Sequence, residues 1–546
     1  MRASYLAAML FFIAGAAAGQ EAAPSSTPTP GPIREEVTVT AARTETRLAE
    51  TPASVTILSR PQIETSAAPT IDDVLRQSVG FSIFRRSSSR NANPTTQGVS
   101  LRGVGASGAS RTAVLFDGVP LNDPFGGWVQ WNRVSTIAVE RVEVLRGGAS
   151  SLYGDTSLSG AVNIMPRDAR EKWVLSADVF GGTQRTISGS AFGGFTTGDW
   201  TGDVTVASYQ TQGFKPVDRE ERGPADVFAG VRSSNYMGRL LKRFGERASM
   251  FLRPSYFGEV RTNGTGLQTN RTHIRQLVAG GDARIPDHNV IIAWRGFGGN
   301  QVYDQVFTAV NSTRTDESLT RLQRVPAQYL GGSVQISAVA GPHTFVGGAE
   351  ARNVRGVSSE IAVMNNLRTA LVDSGGREVF AGLFVQDLIR LGERLVIIGG
   401  VRYDRWRNYD ASSITRSLVT GATMITAFPD RFESAISPQL SGLLRVSDNV
   451  SLYANASRSF RAPTLNELYR GFRVGNVLTL ANENLKAERA DNIEGGVRFG
   501  SDHTSVKTSV FWTRINRTVA NVTLMSTPSL ITRQRQNAGR TRSRGF

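Results

Sequence analysis

The sequence has no cysteine, so neither disulfides nor thiolate chemistry can hold or drive this protein. It has only four histidines, His273, His288, His343 and His503, and they are scattered without metal-ligand spacing. No G-x-x-x-x-G-K-[ST], G-x-S-x-G or H-E-x-x-H occurs, which removes the phosphate-loop, nucleophile-elbow and zinc-peptidase readings. Beyond the N-terminus there is no run of about 18 apolar residues, and a helical membrane protein is excluded. Lysine stands only at positions 172, 215, 242, 486 and 507, so the net charge of +16 over 546 residues rests almost wholly on arginine. That balance suits an anionic ligand or lipid phosphates, and equally a bias in base composition. The expectation is a protein that is not an enzyme and needs no cofactor and no metal.

What is present points to strands. Gly, Thr, Ser and Val are plentiful, and long periodic helices are missing. At the start, Arg2, the apolar core Leu6 to Ile13 and the small residues Ala16 to Gly19 make a secretory signal peptide of residues 1–19, too short to span a bilayer. Gln20 to Arg34 is a Pro-, Ser-, Thr- and Ala-rich linker that cannot bury a core. From Trp173 onward the chain reads as period-two strands of about ten residues. Met250, Leu252 and Tyr256 alternate with Phe251, Arg253 and Ser255; Leu395, Ile397, Val401 and Tyr403 share a face, as do Val506, Thr508, Val510 and Trp512.

The connections between these strands carry more information than the strands. Tight turns at Gly245-Glu246, Pro286 to Asn289, Gly341 to His343, Gly392-Glu393, Ser447 to Asn449 and Ser501-Asp502 alternate with long polar stretches near 211–233, 258–272, 299–325, 354–378, 408–432 and 461–488. This is the asymmetry of an outer-membrane barrel, with short turns in the periplasm and long loops outside. In hydrocarbon such strands must close, because unpaired edge groups have no water to bind.

Between Gln97 and Arg167 stand Val99-Ser-Leu-Arg-Gly103, Thr112-Ala-Val-Leu-Phe-Asp-Gly-Val-Pro-Leu-Asn122, Val139-Glu-Arg-Val-Glu-Val-Leu-Arg-Gly147, Ser151-Leu-Tyr-Gly154 and Gly160-Ala-Val-Asn-Ile164. Within them Gly103-Val-Gly-Ala-Ser-Gly108 spells the dinucleotide fingerprint, but the next segment, Arg111 to Phe116, has a strand pattern where that fingerprint requires a helix. No nucleotide is inferred. In this order the pieces resemble the plug domain of TonB-dependent outer-membrane receptors. A later set, Ser457-Arg-Ser-Phe-Arg-Ala-Pro-Thr-Leu-Asn-Glu-Leu-Tyr469, Asn482 to Glu488 and Asn492-Ile-Glu-Gly-Gly496, resembles the barrel signature of the same family.

The resemblance implies a mainly β protein: an N-terminal α+β plug domain (50–168) inside a transmembrane antiparallel β-barrel (169–546). In the plug, Ser54 to Leu58 is a strand, and Thr70 caps a short helix carrying Ile71, Val74 and Leu75 on one face. Residues 20–49 are the linker with its TonB box at 35–41, namely Glu35, Glu36, Val37, Thr38, Val39, Thr40 and Ala41. Alternating Val and Thr favour an extended backbone able to join a partner's sheet edge, though an ordinary first strand has the same look. Two polar stretches, with Arg85, Arg86 and Arg90 and with Phe125, Trp128 and Trp131, are the candidate ligand-binding apices; the rings equally suit packing against the barrel wall. Arg102 and Arg146 are the candidate plug cations for ion pairs with the barrel, and Glu494 one barrel partner; a second glutamate cannot be placed. The family barrel has roughly 22 strands, whereas about sixteen are counted here. With Arg540, Arg542 and Arg544 on the face of Phe546, the expectation is a C-terminally incomplete barrel.

By the same resemblance this is an outer-membrane receptor that binds and actively imports a scarce solute. An iron–siderophore or similar metal chelate leads. Cobalamin or oligosaccharide import, or a passive or nonfunctional truncated barrel, is the alternative. The implied partners are TonB with its inner-membrane energising complex, the solute and outer-membrane lipid. A monomer without nucleic acid is expected.

Overall fold

The computed structural model describes residues 37–38, 43, 46–105, 107–500 and 504–546. Residues 1–19, expected to be a signal peptide, the stretch 20–34 expected to be a linker, most of the 35–41 segment and His503 lie outside the described residues.

The N-terminal part is built on a five-stranded sheet of Ser54–Ser59, Val139–Arg146, Gly160–Pro166, Ala113–Phe116 and Val119–Pro120, in that spatial order. Only Ala113–Phe116 and Gly160–Pro166 run parallel within it. Helix Arg60–Glu64 follows the first strand and opens with a capping box, the Ser59 amide donating to Gln62 Oε1 at 2.9 Å. Thr70 occupies the N-cap of Ile71–Leu75, but its hydroxyl donates to Asp73 Oδ2 at 3.0 Å and makes no bond to a backbone N–H. Ile71, Val74 and Leu75 join Val142, Val144, Val162 and Trp131 in a buried core. The glycines at 103 and 105 lie in a loop, and the next element is the strand at 113–116, so no helix end is offered to a phosphate.

Trp173–Gly182 begins a 17-stranded sheet that ends with Arg540–Gly545. Its pairings are antiparallel, between sequence neighbours except where short outer elements intervene. Thr423–Phe428 pairs with the outer end of Leu395–Ser417, and Arg431–Ser447 pairs with the rest of that strand. Among the described residues no pairing joins the two end strands.

Strand length differs from the sequence reading. Leu367–Leu391 runs for 25 residues, and the polar stretches near 299–325, 354–378 and 408–432 are largely ladder, not loop. Antiparallel pairing satisfies backbone groups whichever side chains are attached, so hairpins continue beyond the apolar zone. The faces diverge as period two requires. On Leu395–Ser417, Val401 and Tyr403 are exposed outward, while Arg402, Asp404 and Trp406 point inward and are buried. The inward face is therefore polar and covered by the N-terminal domain; the outward face is apolar from Leu395 to Tyr403.

Three outer connections are tied together by one carboxylate. Asp226 accepts Arg314 Nε at 2.7 Å and Nη2 at 2.5 Å, accepts the Gly223 amide at 2.9 Å, and bridges to Thr265 through its backbone. The Arg314 hydrogen bonds hold its pKa down at about 2, against the opposing effect of burial. Because the folded value lies below the usual one near 4, the tie is fully present above about pH 4 and is lost as pH falls towards 2. A spin label at residue 313 is expected to stay immobile from pH 7 to 4 and loosen near pH 2; Asp226→Asn at pH 7 should resemble the acid state.

Candidate functional site

The backbone just before the N-terminal domain is anchored to the inner face of the large sheet. Val37–Thr38 pairs antiparallel with Thr46–Arg47. Downstream, Glu50 lies 3.6 Å from Arg390 Nε and 3.9 Å from Arg445 Nη2. Arg498 donates to the Leu48 carbonyl at 2.6 Å, and Lys507 to the Ala53 carbonyl at 2.7 Å. Four cations on four strands thus clasp residues 48–53. Nothing local in the sequence signals the Arg498 and Lys507 contacts, because the backbone carbonyls they bind are present at every residue.

Deeper in, buried ion pairs cross the seam between the two parts. Arg102, held at φ +56° in the Leu-Arg-Gly turn, places Nη2 2.9 Å from Glu494 Oε2, with its guanidinium 4.5 Å from the Phe511 ring centre. Tyr453 donates to the other oxygen of Glu494 at 2.7 Å. Arg111 makes a two-pronged contact with Glu488, at 2.7 and 3.1 Å. Arg461 Nε binds the same carboxylate at 2.6 Å and reaches Glu467 at 2.8 Å. Glu467 in turn closes the capping box of Leu465–Tyr469 with Thr464. Asp117, from the Asp-Gly turn, meets Arg253 at 2.9 Å, and Asp155 meets Arg352 at 3.4 Å. The two parts approach so closely at Gly148 that a Cβ there would sit 2.3 Å from Asn492 Nδ2.

Arg146 does not take the place expected for it. Its guanidinium donates to the Val79 carbonyl, Thr56 Oγ1 and Ser78 Oγ at 2.7–2.8 Å, all within its own domain. Burial, and then the nearby Arg102, push its pKa down to about 10. Arg111 is the cation that reaches the wall beside Arg102, and Glu488 is the glutamate that could not be placed. One signal was available for it. Glu488, Ala490, Asn492 and Glu494 are spaced by two on one strand, and all four are buried on its inner face.

The candidate solute contacts separate by type. Arg85 and Arg86 are exposed, whereas Arg90 is half-buried, 3.5 Å from Asp73. Phe125, Trp128 and Trp131 are buried, at 1%, 4% and 1% exposure. Phe125 packs over Gly356 beside Leu465 and Leu468, Trp128 lies 5.8 Å from Tyr303, and Trp131 meets Phe81 edge-on at 6.1 Å. Their apolar area gains more from packing than from water. Two adjoining clefts remain along the seam, sharing Asn122, Asp155 and Arg352; Asp123, Gln301 and Glu378 line one, and Arg43, Ser333 and Glu350 the other.

Comparison with known proteins matches residues 172–546 to the family described as "TonB dependent receptor-like, beta-barrel" and residues 47–161 to "TonB-dependent Receptor Plug Domain". The chain is 30% identical over 219 residues to the vitamin B12 transporter BtuB of Vibrio vulnificus, covering 39% of this chain and 34% of that protein. It is 23% identical over 455 residues to an iron-regulated outer membrane virulence protein of Vibrio cholerae, covering 80% and 61%. The chain thus spans about a third to three-fifths of the length of these curated relatives. Among solved structures, the ferric yersiniabactin uptake receptor FyuA of Yersinia pestis aligns with a TM-score of 0.68 at 16% identity, over 90% of this chain and 74% of that one; at this identity the likeness concerns the fold alone.

The shared carboxylate makes an asymmetric prediction. Glu488→Gln strips Arg111 and Arg461 of their common partner and is expected to destabilise the seated N-terminal domain by about 3–5 kcal/mol. Arg111→Met leaves Glu488 paired with Arg461 and should cost clearly less. Urea midpoints followed by tryptophan fluorescence decide the order; equal costs would refute the shared-carboxylate account.

Proposed function

This chain belongs to the TonB-dependent receptors, and we propose that it binds a scarce solute at the outer membrane and imports it actively. An iron–siderophore or similar metal chelate is the leading solute class. The observation that carries this reading is the plug seated against the inner wall by buried ion pairs, Arg102–Glu494 and Arg111–Glu488. A lumen filled in this way passes no large solute until the plug moves, and separating buried charges requires work.

Segment 35–41 is the handle for that work. Its Val–Thr alternation suits strand addition to the periplasmic protein TonB, and TonB would take over the backbone groups that Val37–Thr38 now shares with Thr46–Arg47. Tension would pass next into the Glu50 clasp and then into the seam, widening the two polar clefts beside Arg352. Exposed Arg85 and Arg86, with the arginine-based charge of +16, favour an anionic chelate. No bond of the solute changes. A second reading, cobalamin import, is favoured by the 30% identical stretch shared with the vitamin B12 transporter.

Uptake of labelled ferric siderophores and of labelled cobalamin, in cells with and without TonB, tests both readings. Thr38→Pro removes the backbone N–H a partner strand needs and is expected to reduce uptake to the level of cells lacking TonB, with surface binding of the solute unchanged. Uptake that persists without TonB would overturn active import.

A further inference from the structure

A proline interrupts one ladder of the large sheet. Ala229–Phe244 and Ala248–Thr262 pair Met237 with Ser255 and Leu240 with Leu252, but no pairing joins Gly238 and Arg239 to Arg253 and Pro254 between them. On its other side Pro254 keeps its place opposite Leu277. The N–H and C=O of an antiparallel residue point to the same neighbour, so the N–H that proline lacks is the one that would have bonded the Gly238 carbonyl. Gly238 adds no side chain to cover the gap, and a Cβ there would meet nothing nearer than 3.7 Å. Counted from Ala248, Pro254 lies about 20 Å along the strand, roughly 15 Å up at a tilt of about 40°, inside an apolar band about 25 Å tall.

Open space lies on both sides of this gap. Outward, a groove passes over Gly238 and Pro254 between exposed Val204, Val206 and Leu277, and the Tyr236 and Tyr256 rings stand 6.1 Å apart along it. Inward, a cavity lies between Leu121 and Arg133 of the plug and Thr205 and Asn235 of the wall. Met237, Ser255, Tyr256 and Gln276 border both spaces. The cavity holds unused donors. The hydroxyl of Thr205, a residue 1% exposed, and Gln276 Nε2 have no hydrogen-bond partner among the described residues, while Gln276 Oε1 accepts from Arg133. Pro326 interrupts a second ladder in the same way, but Val325 and Ala327 beside it are packed in a buried core with Tyr303 and Val354, and nothing opens there.

We propose that the wall admits a single-chain carboxylate amphiphile at this point, from the bilayer into the lumen cavity, by local parting of the two strands at Gly238 and Pro254. The apolar groove takes the chain, and the carboxylate accepts from Thr205 and Gln276 beside the Arg133 guanidinium. The head is an anion because the free Gln276 nitrogen can only donate and because both charged residues lining the cavity, Arg133 and Arg253, are cations. Parting is confined to a few residues, since one bond is already absent and the ladder resumes at Met237 and Leu240. Met237 stands in the opening, and its unbranched thioether side chain adapts to what passes. The assignment rests on the outer-membrane reading above.

The protein has no cysteine, so one introduced thiol reports entry. The full chain carrying Ser255→Cys is reconstituted in phosphatidylcholine vesicles loaded with N-dodecylmaleimide, with glutathione in the water to consume reagent that leaves the bilayer, and labelling is followed by mass spectrometry. Labelling from the bilayer is expected. Adding Pro254→Val, which returns the missing N–H, should slow it about tenfold, the effect of one regained backbone hydrogen bond on local parting. If that variant does not fold, Gly238→Val, which fills the floor of the groove, should slow it likewise. Pro326→Val should leave it unchanged. Palmitate should compete, and its uncharged methyl ester should not. Labelling that ignores both Pro254→Val and Gly238→Val, or that palmitate and its ester slow equally, would overturn the proposal. Leu383→Cys, exposed on the outward face of another strand, marks insertion. If it escapes the reagent, the outer-membrane reading itself is overturned; if it is labelled and Ser255→Cys is not, the lateral passage alone is overturned.

Discussion

The buried carboxylate of Glu488 is the point on which the two halves of this receptor depend. It is shared by Arg111 of the plug and Arg461 of the wall, and Arg461 passes the connection to Glu467, which caps the short helix Leu465–Tyr469. A buried ion pair adds little net stability over a well-packed apolar contact, but removing one partner is expensive. Such a network therefore rewards one seating of the plug and penalises every partial departure from it. Under the import reading proposed above, in which the domain stays put until pulled, that difference matters more than total stability.

The strand wall separates two environments with one backbone pattern. Period two sends Arg402, Asp404 and Trp406 to the plug and Val401 and Tyr403 outward on a single strand. The inner face can be charged because the plug supplies countercharges and hydrogen-bond partners, as at Asp117–Arg253 and Asp155–Arg352. The outer face of the same strand is apolar from Leu395 to Tyr403.

Ahead of the seam lies the clasp on residues 48–53. The half-buried Glu50 contacts at 3.6 and 3.9 Å are long and partly screened, whereas the Glu488 network is fully enclosed. In the proposed import, a pull from the periplasmic side would meet the weaker contacts first and the stronger ones last. Phe125 and Trp128 pack against the wall at Gly356 and Tyr303, Trp131 packs on Phe81 in the plug core, and Arg85 and Arg86 are exposed.

By itself the sequence determined the plug-within-strands architecture, because alternation, turn residues and the order of the Leu-Arg-Gly, Asp-Gly-Val-Pro-Leu and Leu-Tyr-Gly pieces are local properties. It also marked Arg102 and Glu494, which sit in those motifs and lie 2.9 Å apart in the folded chain. Strand length was not legible, since polar residues extend a ladder as readily as they form a loop. The choice of Arg111 over Arg146 as the second cation was decided only by tertiary structure: Arg111 and Glu488 are 377 residues apart, and what joins them is the face of the strand each leaves. The burial of the three aromatic rings and the clasp on Leu48, Glu50 and Ala53 were decided in the same way. A side chain's partner depends on what the fold brings opposite it, and no neighbour in sequence carries that information.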